Sequence, residues 1–309
     1  MSTSLPDTPG RSGAMVGSSW MMGRMSAGVP VLEIGGSHVT AAVVSPAGWD
    51  VEVVERAKLD SQRSADEIVA QLVAAAKQLP LASGLAVALP GPFDFATGIA
   101  WYRGVEKFDS LYGHDLGKSL RELLELDRVV FLNDAEAFSV GEWTAGELRG
   151  LDSCVGVTIG TGIGTGFLDD GRAVRTGDTV PPGGELYKVS YEGRPLEDWI
   201  SARAMLRSYF DRLGAEEDGI GVKEIAERAR GGEAVALEVL LDAFGVLSRA
   251  LVPWLSRFGA TRVVLGGSIS GAFDIVSSVF PFDVAATEDT EHSALIGAAA
   301  HYVRSTGGN

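Results

Sequence analysis

The chain has 309 residues, is 46% hydrophobic and carries a formal net charge of −15, with a pI near 4.7. That length carries a substantial core in one large or two ordinary domains. The acidic balance argues against a nucleic-acid surface, which needs clustered Lys and Arg, and no run approaches the roughly 18 consecutive apolar residues of a membrane span.

Residues 1–28 are rich in Ser, Gly, Pro and Met and lack helical or strand periodicity. They hold no sustained apolar segment of the kind a secretory leader needs, and all but one of the six methionines fall there, as an upstream-assigned start codon would produce. They are expected to form a disordered extension. The ordered chain starts near Val29. Val31–Ile34 and Val39–Val44 read as strands around Gly35-Gly36, and Val51–Ala57 as a third. Ser64-Ala65-Asp66-Glu67 has capping-box form and opens a helix that places Ile68, Leu72, Ala75 and Leu79 on one face. Leu85–Leu89 reads as a buried strand ending in Pro90-Gly91-Pro92. A helix over Leu116–Leu124, a strand over Val129–Leu132 and a helix over Ala135–Ala145 follow.

A composition shift near residues 146–153 leads into a second unit. Cys154–Ile159 and Thr165–Leu168 form its opening hairpin, and the chain's single cysteine, Cys154, reads as a small buried hydrophobe with no disulfide partner. Helices are expected over Leu196–Leu213, Val222–Arg230 and Glu233–Phe258, a strand over Val263–Leu265 and a terminal helix over Ala294–Val303. Strands followed by helices, twice, predict an α/β architecture of two similar halves.

Three β-branched runs end in glycines: at Gly35-Gly36, at Gly160-Thr161-Gly162-Ile163-Gly164 and at Gly266-Gly267. Turns without Cβ atoms let backbone N–H groups approach phosphate oxygens. The second loop lacks both the G-x-G-x-x-G spacing of a dinucleotide fold and the Gly-Lys-Ser/Thr of a P-loop. Its glycines alternate with Thr and Ile and the chain returns as a strand; the same hairpin could also form with no ligand. Glu33, beside Gly35-Gly36, would repel a phosphate unless a cation such as hydrated Mg²⁺ stood between them. Asp134 follows Asn133 where a strand becomes a helix. That suits a base with Asn133 orienting a neighbouring hydroxyl, although Asp is equally a favoured N-cap. Glu185 and Glu197 flank a segment that could read a polyol, or could be solvated surface. The four His are isolated, and no pair has metal-ligand spacing.

Taken together, these motifs over residues 31–303 resemble the ROK family of sugar kinases and regulators, within the actin-like/hexokinase ATPase superfamily. Glu33-Ile34-Gly35-Gly36-Ser37 resembles the family's D-x-G-G-T. Ala88–Asp94 resembles its P-G-P-x-D stretch, Asn133–Ala137 its N-D-A-N-A, and Gly160–Gly166 its second phosphate motif. Gly184-Glu185-Leu186 resembles the start of G-E-x-G-H, Leu196-Glu197 the close of the zinc segment, Val264–Ser268 the adenosine motif and Ala294–Ala299 the A-x-x-G-A-A helix. The resemblance implies a two-domain actin-like/RNase H-like ATPase fold with nucleotide and sugar in the interdomain cleft. It implies lobes of residues 29–134 plus 290–305 and of residues 135–289. It further implies ATP and Mg²⁺ as cofactors and Asp134 as catalytic base. Asn133, Glu185, Lys188, Glu197 and Gly91 are implied at the substrate. Gly35, Gly36, Ser37, Gly160, Thr161, Gly162, Gly164, Gly266 and Gly267 are implied at the nucleotide, with Glu33 holding Mg²⁺ through water.

Three departures stand out. The family's cysteine-bearing zinc segment is replaced by Ser190–Pro195, its His by Lys188 and its first Asp by Glu33. No zinc site is expected, and Lys188 can pair with Glu185 or Glu197. The expected activity is phosphorylation of a primary hydroxyl on a hexose or hexose-like polyol, including C7-cyclitols, by a cytoplasmic homodimer with no nucleic-acid or membrane partner. The alternatives are a non-catalytic sugar or nucleotide binder and a ROK regulator. About 30 residues precede Val31, too few and too irregular for the DNA-binding helix-turn-helix of a regulator.

Overall fold

The computed structural model describes residues 28–307 apart from Ser83 and Glu106, so the expected extension lies outside the described residues except for Gly28. The strands β1 (Val29–Ile34), β2 (His38–Ser45) and β3 (Asp50–Lys58) form an antiparallel meander. The helix α1 (Ala65–Ala76) follows, opened by the expected capping box of Ser64 and Glu67. Next come β4 (Gly84–Leu89), the two-residue strands β5 (Phe93–Asp94) and β6 (Ile99–Ala100), and α2 (Leu116–Leu124). With β7 (Arg128–Asn133) they complete a sheet of order β3-β2-β1-β4-β7, in which β1, β4 and β7 are parallel.

Strand alternation decides what each face covers. Leu32, Ile34, Val39, Ala41, Leu85, Val87 and Phe131 pack with Ile68 and Leu72 of α1 and Leu116 and Leu120 of α2. Their neighbours Val31, Ala42, Val44, Ala86, Ala88 and Leu132 face the other way. They meet α3 (Asp134–Ala145) and a helix from the far end of the chain.

The second sheet has the order β10-β9-β8-β13-β14. Its hairpin is β8 (Ser153–Ile159) and β9 (Ile163–Asp169), edged by β10 (Arg172–Ala173). A short ribbon, β11 (Ser190–Tyr191) and β12 (Arg194–Pro195), precedes α4 (Glu197–Ile200), α5 (Ala202–Leu213), α6 (Val222–Arg230) and α7 (Ala234–Phe258). Then β13 (Arg262–Gly266) runs parallel to β8, α8 (Phe273–Val276) intervenes, and β14 (Val284–Ala286) runs parallel to β13. The chain closes with α9 (Thr290–Thr306). The outer face of this sheet packs on α5 to α7, while Cys154, Leu168 and Val264 point inward to α3 and α9. Cys154 is buried, and burial pushes its thiol up to about 12.

The pair α3 and α9 thus lies between the two sheets. Their approach is close enough that a Cβ at Gly297 would stand 1.7 Å from the Ala137 carbonyl oxygen, and one at Gly141 1.8 Å from that of Ser293. Buried Glu142 binds them together by accepting Ser293 Oγ and Thr287 Oγ1, each at 2.6 Å.

One expected element is corrected. The helix read over Leu196–Leu213 is two helices, because Ser201 is extended (φ −71°, ψ 160°) and caps α5 by accepting the Ala204 amide. Among the described residues no helix is long and apolar enough to cross a membrane.

Candidate active site

Parallel strands deliver their C-terminal ends to one edge of each sheet, and the ends and following turns of β1, β4, β7, β8 and β13 carry most of the candidate residues. Glu33 lies on the face of β1 directed at α9, opposite Thr40 in register. Thr40 Oγ1 donates to Glu291 Oε1 at 2.9 Å, and Arg56 reaches Glu291 Oε2 at 3.0 Å. The His38 ring stands between the carboxylates, its Nε2 3.5 Å from Glu33 Oε2 and 3.3 Å from Glu291 Oε2. The Glu33 carboxylate holds His38 above the ordinary histidine value.

Glu33 Oε2 is buried and has no hydrogen-bond partner among the described residues. Beyond the 3.5 Å approach of His38 Nε2 the oxygen has open capacity, and a hard divalent cation is a partner that suits a buried carboxylate oxygen. Atoms of Glu33, His38 and Glu291 lie within 4.8 Å of one another, but Glu291 is already engaged by Thr40 and Arg56. The donor set therefore fits a Mg²⁺ held mainly by water and Glu33. When bound, such a cation would neutralise phosphate charge beside Gly35-Gly36.

At the end of β7, Asn133 is extended and its Oδ1 accepts the amides of Ala135 (3.0 Å) and Glu136 (3.2 Å). The cap of α3 is therefore Asn133, and the N-cap role that the sequence left open for Asp134 is already filled. Asp134 has one oxygen on the Ala135 amide at 2.8 Å. Its pKa is pushed up to about 6, first by desolvation and then by the Glu33 charge, against the lowering effects of the Ala135 amide and Lys107. Buried Tyr102 lies beside it and donates to the Pro90 carbonyl at 2.6 Å.

The Gly-rich hairpin sits directly on the first turn of α3: a Cβ at Gly164 would come within 2.5 Å of the Ala135 Cβ. Gly160 donates to the Gly162 carbonyl at 2.9 Å, tightening the tip. Gly267 has φ 89°, and a Cβ there would lie 2.2 Å from the Ile159 carbonyl oxygen, so only glycine lets the β13 turn cross the end of β8. The Gly267 amide is anchored on Thr290 Oγ1 at 2.6 Å. Gly160, Thr161, Gly162, Gly164, Gly266 and Gly267 thus converge at one edge. Gly35, Gly36 and exposed Ser37 belong to the facing edge. Lys107 bridges the two, packed on Gly36 with its Nζ donating to Thr161 Oγ1 at 3.3 Å.

In the segment that carries Glu185 and Lys188, Thr165 Oγ1 donates to the Gly184 carbonyl (2.7 Å) and accepts the Leu186 amide (3.0 Å), holding this segment on β9. Glu185 faces Gly91, whose missing Cβ would stand 3.9 Å from Glu185 Oε1. Lys188 pairs with Glu185, which holds the ammonium above the ordinary lysine range. Glu197 does not form the second possible pair. Its Oε1 accepts the Ile163 amide at 2.8 Å instead, placing it at the Gly-rich hairpin.

Where the family's zinc segment would stand, an aromatic clamp holds the β11–β12 ribbon. Trp199 packs edge-on against Tyr191 and donates to its carbonyl at 3.2 Å, with the Arg194 guanidinium 3.9 Å over the indole. A further unforeseen link is the two-pronged pair of Arg175 with buried Glu136, at 2.6 and 2.5 Å. Glu136 occupies the position of the second Asn in the N-D-A-N-A pattern, the one signal the sequence carried for it. Lys107, His38 and Glu291 had no such signal.

A family model described as the ROK family matches residues 29–302. A glucokinase of Thermotoga maritima is 27% identical over 90% of this chain and 98% of its own length. Among solved structures, a ROK hexokinase from Thermus thermophilus superposes with a TM-score of 0.74 at 21% identity, covering 91% of this chain and 100% of that one. A ROK family glucokinase from Streptomyces griseus, solved with glucose and AMPPNP, gives 0.72 at 21% identity, covering 89% and 99%. The two sheets with helices between and outside them are the actin-like ATPase fold that the motifs implied.

Proposed function

The chain belongs to the ROK family, and from that premise we propose that it is an ATP-dependent kinase of a primary hydroxyl on a hexose or hexose-like polyol. The observation that carries this is Asp134, a desolvated carboxylate with a pKa near 6, set beside the Gly-rich hairpin of the second sheet and within reach of the charges of Glu33 and Lys107. A base is most useful when its pKa approaches the working pH while it remains ionised. Asp134 would accept the hydroxyl proton as the oxygen attacks the γ-phosphorus in line. The backbone amides of the two Gly-rich turns would take up the phosphate charge. On this reading the lobes are residues 29–134 with 290–305 and residues 135–289, with substrates entering between the two strand edges.

The polyol would be read by Asn133, Gly91 and the Glu185–Lys188 pair. A paired carboxylate offers fewer free acceptors than a lone one, and a lysine offers donors but no acceptor. That supports a polyol other than the one a His-bearing site selects, and C7-cyclitols stand beside hexoses as candidates. The test is an ADP-release screen of purified protein with ATP against hexoses, N-acetylhexosamines and C7-cyclitols. Turnover of at least one class supports the reading. Tight nucleotide binding without turnover of any would favour the binder, the second reading left by Glu33 and Lys188.

A further inference from the structure

Lys107 belongs to the loop between β6 and α2, a position with no periodicity to mark it. The next residue, Phe108, is buried and donates its amide to the Ser61 carbonyl at 2.9 Å, so the root of the side chain is anchored. The ammonium lies against the Gly35-Gly36 turn: a Cβ at Gly36 would stand 2.7 Å from both its Cε and its Nζ. Glycine at 36 is what leaves room for it. From there Nζ crosses to the other edge and donates to Thr161 Oγ1 at 3.3 Å. Among the described residues no carboxylate oxygen lies within 4.0 Å of Nζ; the ion pairs of the chain involve other cations.

An ammonium has three donors. One is used on a neutral hydroxyl, and the charge itself is uncompensated at contact distance. It stands between two turns that offer backbone N–H groups, beside Asp134. A neutral polyol would gain little from a full positive charge there, whereas an anionic oxygen shared by both turns would satisfy it. Electrostatics agree with this placement, since Lys107 is felt at Asp134 and draws its pKa down.

We propose that Lys107 binds the terminal phosphoryl group of the nucleoside triphosphate across the cleft, between the Gly35-Gly36 turn and Thr161, and discriminates triphosphate from diphosphate. The proposal rests on the kinase reading for its reaction. In that reaction the bond from γ-phosphorus to the β–γ bridging oxygen breaks, and the bond from the substrate oxygen to γ-phosphorus forms. Asp134 takes the hydroxyl proton. ADP leaves with the electron pair of the broken bond, and Lys107 keeps its protons throughout, exchanging only hydrogen-bond partners. With ADP alone there is no terminal group for it to hold, and Thr161 remains its partner.

The experiment is titration of the parent, Lys107→Met and Lys107→Arg with AMPPNP and with ADP, each in Mg²⁺, alongside steady-state kinetics. Lys107→Met should weaken AMPPNP by about tenfold or more, as loss of a charge-assisted hydrogen bond does, and leave ADP within about twofold. Its kcat should fall by on the order of 10²-fold while the polyol KM moves less than about threefold. Lys107→Arg, which keeps the charge, should recover part of the AMPPNP affinity. Equal effects of Lys107→Met on AMPPNP and ADP, or none on either, would overturn the proposal. A parent that turns over no polyol, with AMPPNP still selectively lost in Lys107→Met, would sink the kinase reading and leave the phosphate site standing. A working kinase whose Lys107→Met variant matches the parent would do the reverse.

Discussion

Glu197 accepts the amide of Ile163 at 2.8 Å, and this bond ties the start of α4 to the tip of the Gly-rich hairpin. Gly162 leans on the same carboxylate, since a Cβ there would come within 2.4 Å of Glu197 Oε1. A residue that the motif pattern assigns to the polyol thus also shapes the Gly-rich loop. Glu197→Ala should leave the Ile163 amide without its acceptor and cost roughly 1–3 kcal/mol. Urea denaturation measures this, and Glu197→Gln, which keeps an acceptor oxygen, should recover most of it. Nucleotide affinity should weaken in the Ala variant, and unchanged nucleotide binding would separate Glu197 from the loop.

Asp134→Asn should reduce turnover by on the order of 10² to 10⁴-fold, the usual contribution of a general base, with nucleotide binding nearly intact. The same substitution should raise stability. The folded-state pKa is raised from 3.8 to about 6, so the ionised form is disfavoured by folding. Below the ordinary value both states hold the proton and the cost vanishes. As pH rises through the window up to about 6 stability is lost, reaching roughly 2–3 kcal/mol at neutral pH. In metal-free buffer the Asn variant should therefore melt above the parent near pH 7 and level with it near pH 4. Parent kcat/KM should fall as pH drops below about 6. A variant that turns over within threefold of the parent would remove Asp134 from the role.

Glu33→Gln should lower kcat and raise the Mg²⁺ concentration needed for half-maximal rate, with little change in polyol affinity. The reason is the buried Glu33 Oε2, which makes no hydrogen bond among the described residues, is approached only by His38 Nε2 at 3.5 Å, and so has capacity for a cation. A Mg²⁺ titration of the rate at saturating substrates reads this directly. Loss of polyol affinity at normal Mg²⁺ dependence would move Glu33 to a different task.

Lys188→Ala should cost little stability, about 0–1 kcal/mol, because the Lys188 side chain is 43% exposed and its pairing with Glu185 is screened by solvent. Its effect should appear in specificity. Freed of its partner, Glu185 can accept from two hydroxyls, so the ratio of kcat/KM between glucose and a C7-cyclitol should change. Lys188→His alone should not restore a glucose preference, because the cysteines that fix the family's His are missing and Arg194 and Trp199 stack in this segment. Equal ratios in parent and both variants would confine Lys188 to a structural part.

Gly297→Ala is the substitution expected to damage the fold most. Its Cβ would lie 1.7 Å from the Ala137 carbonyl oxygen, so α3 and α9 must separate along their whole crossing. Backbone has to move rather than a flexible side chain, and a loss of about 3 kcal/mol or more is expected. Thermal melts of the soluble fraction measure it. A melting temperature within a few degrees of the parent would mean the crossing is looser than it looks.

Much of this was legible because β-strands alternate and glycines punctuate. Gly35-Gly36, Gly160–Gly166 and Gly266-Gly267 each follow a β-branched run, and they mark the ends of β1, β8 and β13. The capping box at Ser64 and Glu67 was equally plain, since both partners lie within one turn. Where two neighbours had the same propensity, the sequence could not choose. Asn133 and Asp134 are both good caps, and the choice was made by register, because Asn133 still pairs with Leu89 and so keeps the extended backbone a cap requires. Ser201 broke a helix whose apolar period runs unbroken through it. Partners distant in sequence were out of reach: Glu136 and Arg175 are 39 residues apart, and Lys107 meets Thr161 from 54 residues away. Only the folded topology brings such pairs together.

The place of α9 also bears on how the protein is made. The inner face of the first sheet, with Val31, Ala42, Ala86, Ala88 and Leu132, is covered by Leu295, Ile296, Ala298 and Ala299. Yet the sheet's last strand ends at Asn133 and the covering helix begins at Thr290. During synthesis the first sheet can assemble and acquire α1 and α2 on one side while its other side still faces water, because the ribosome has the whole second half to translate. Nascent chains in that interval expose an apolar sheet face to chaperones and to one another. Slowing translation late in the message should therefore lower the soluble yield more than slowing it early.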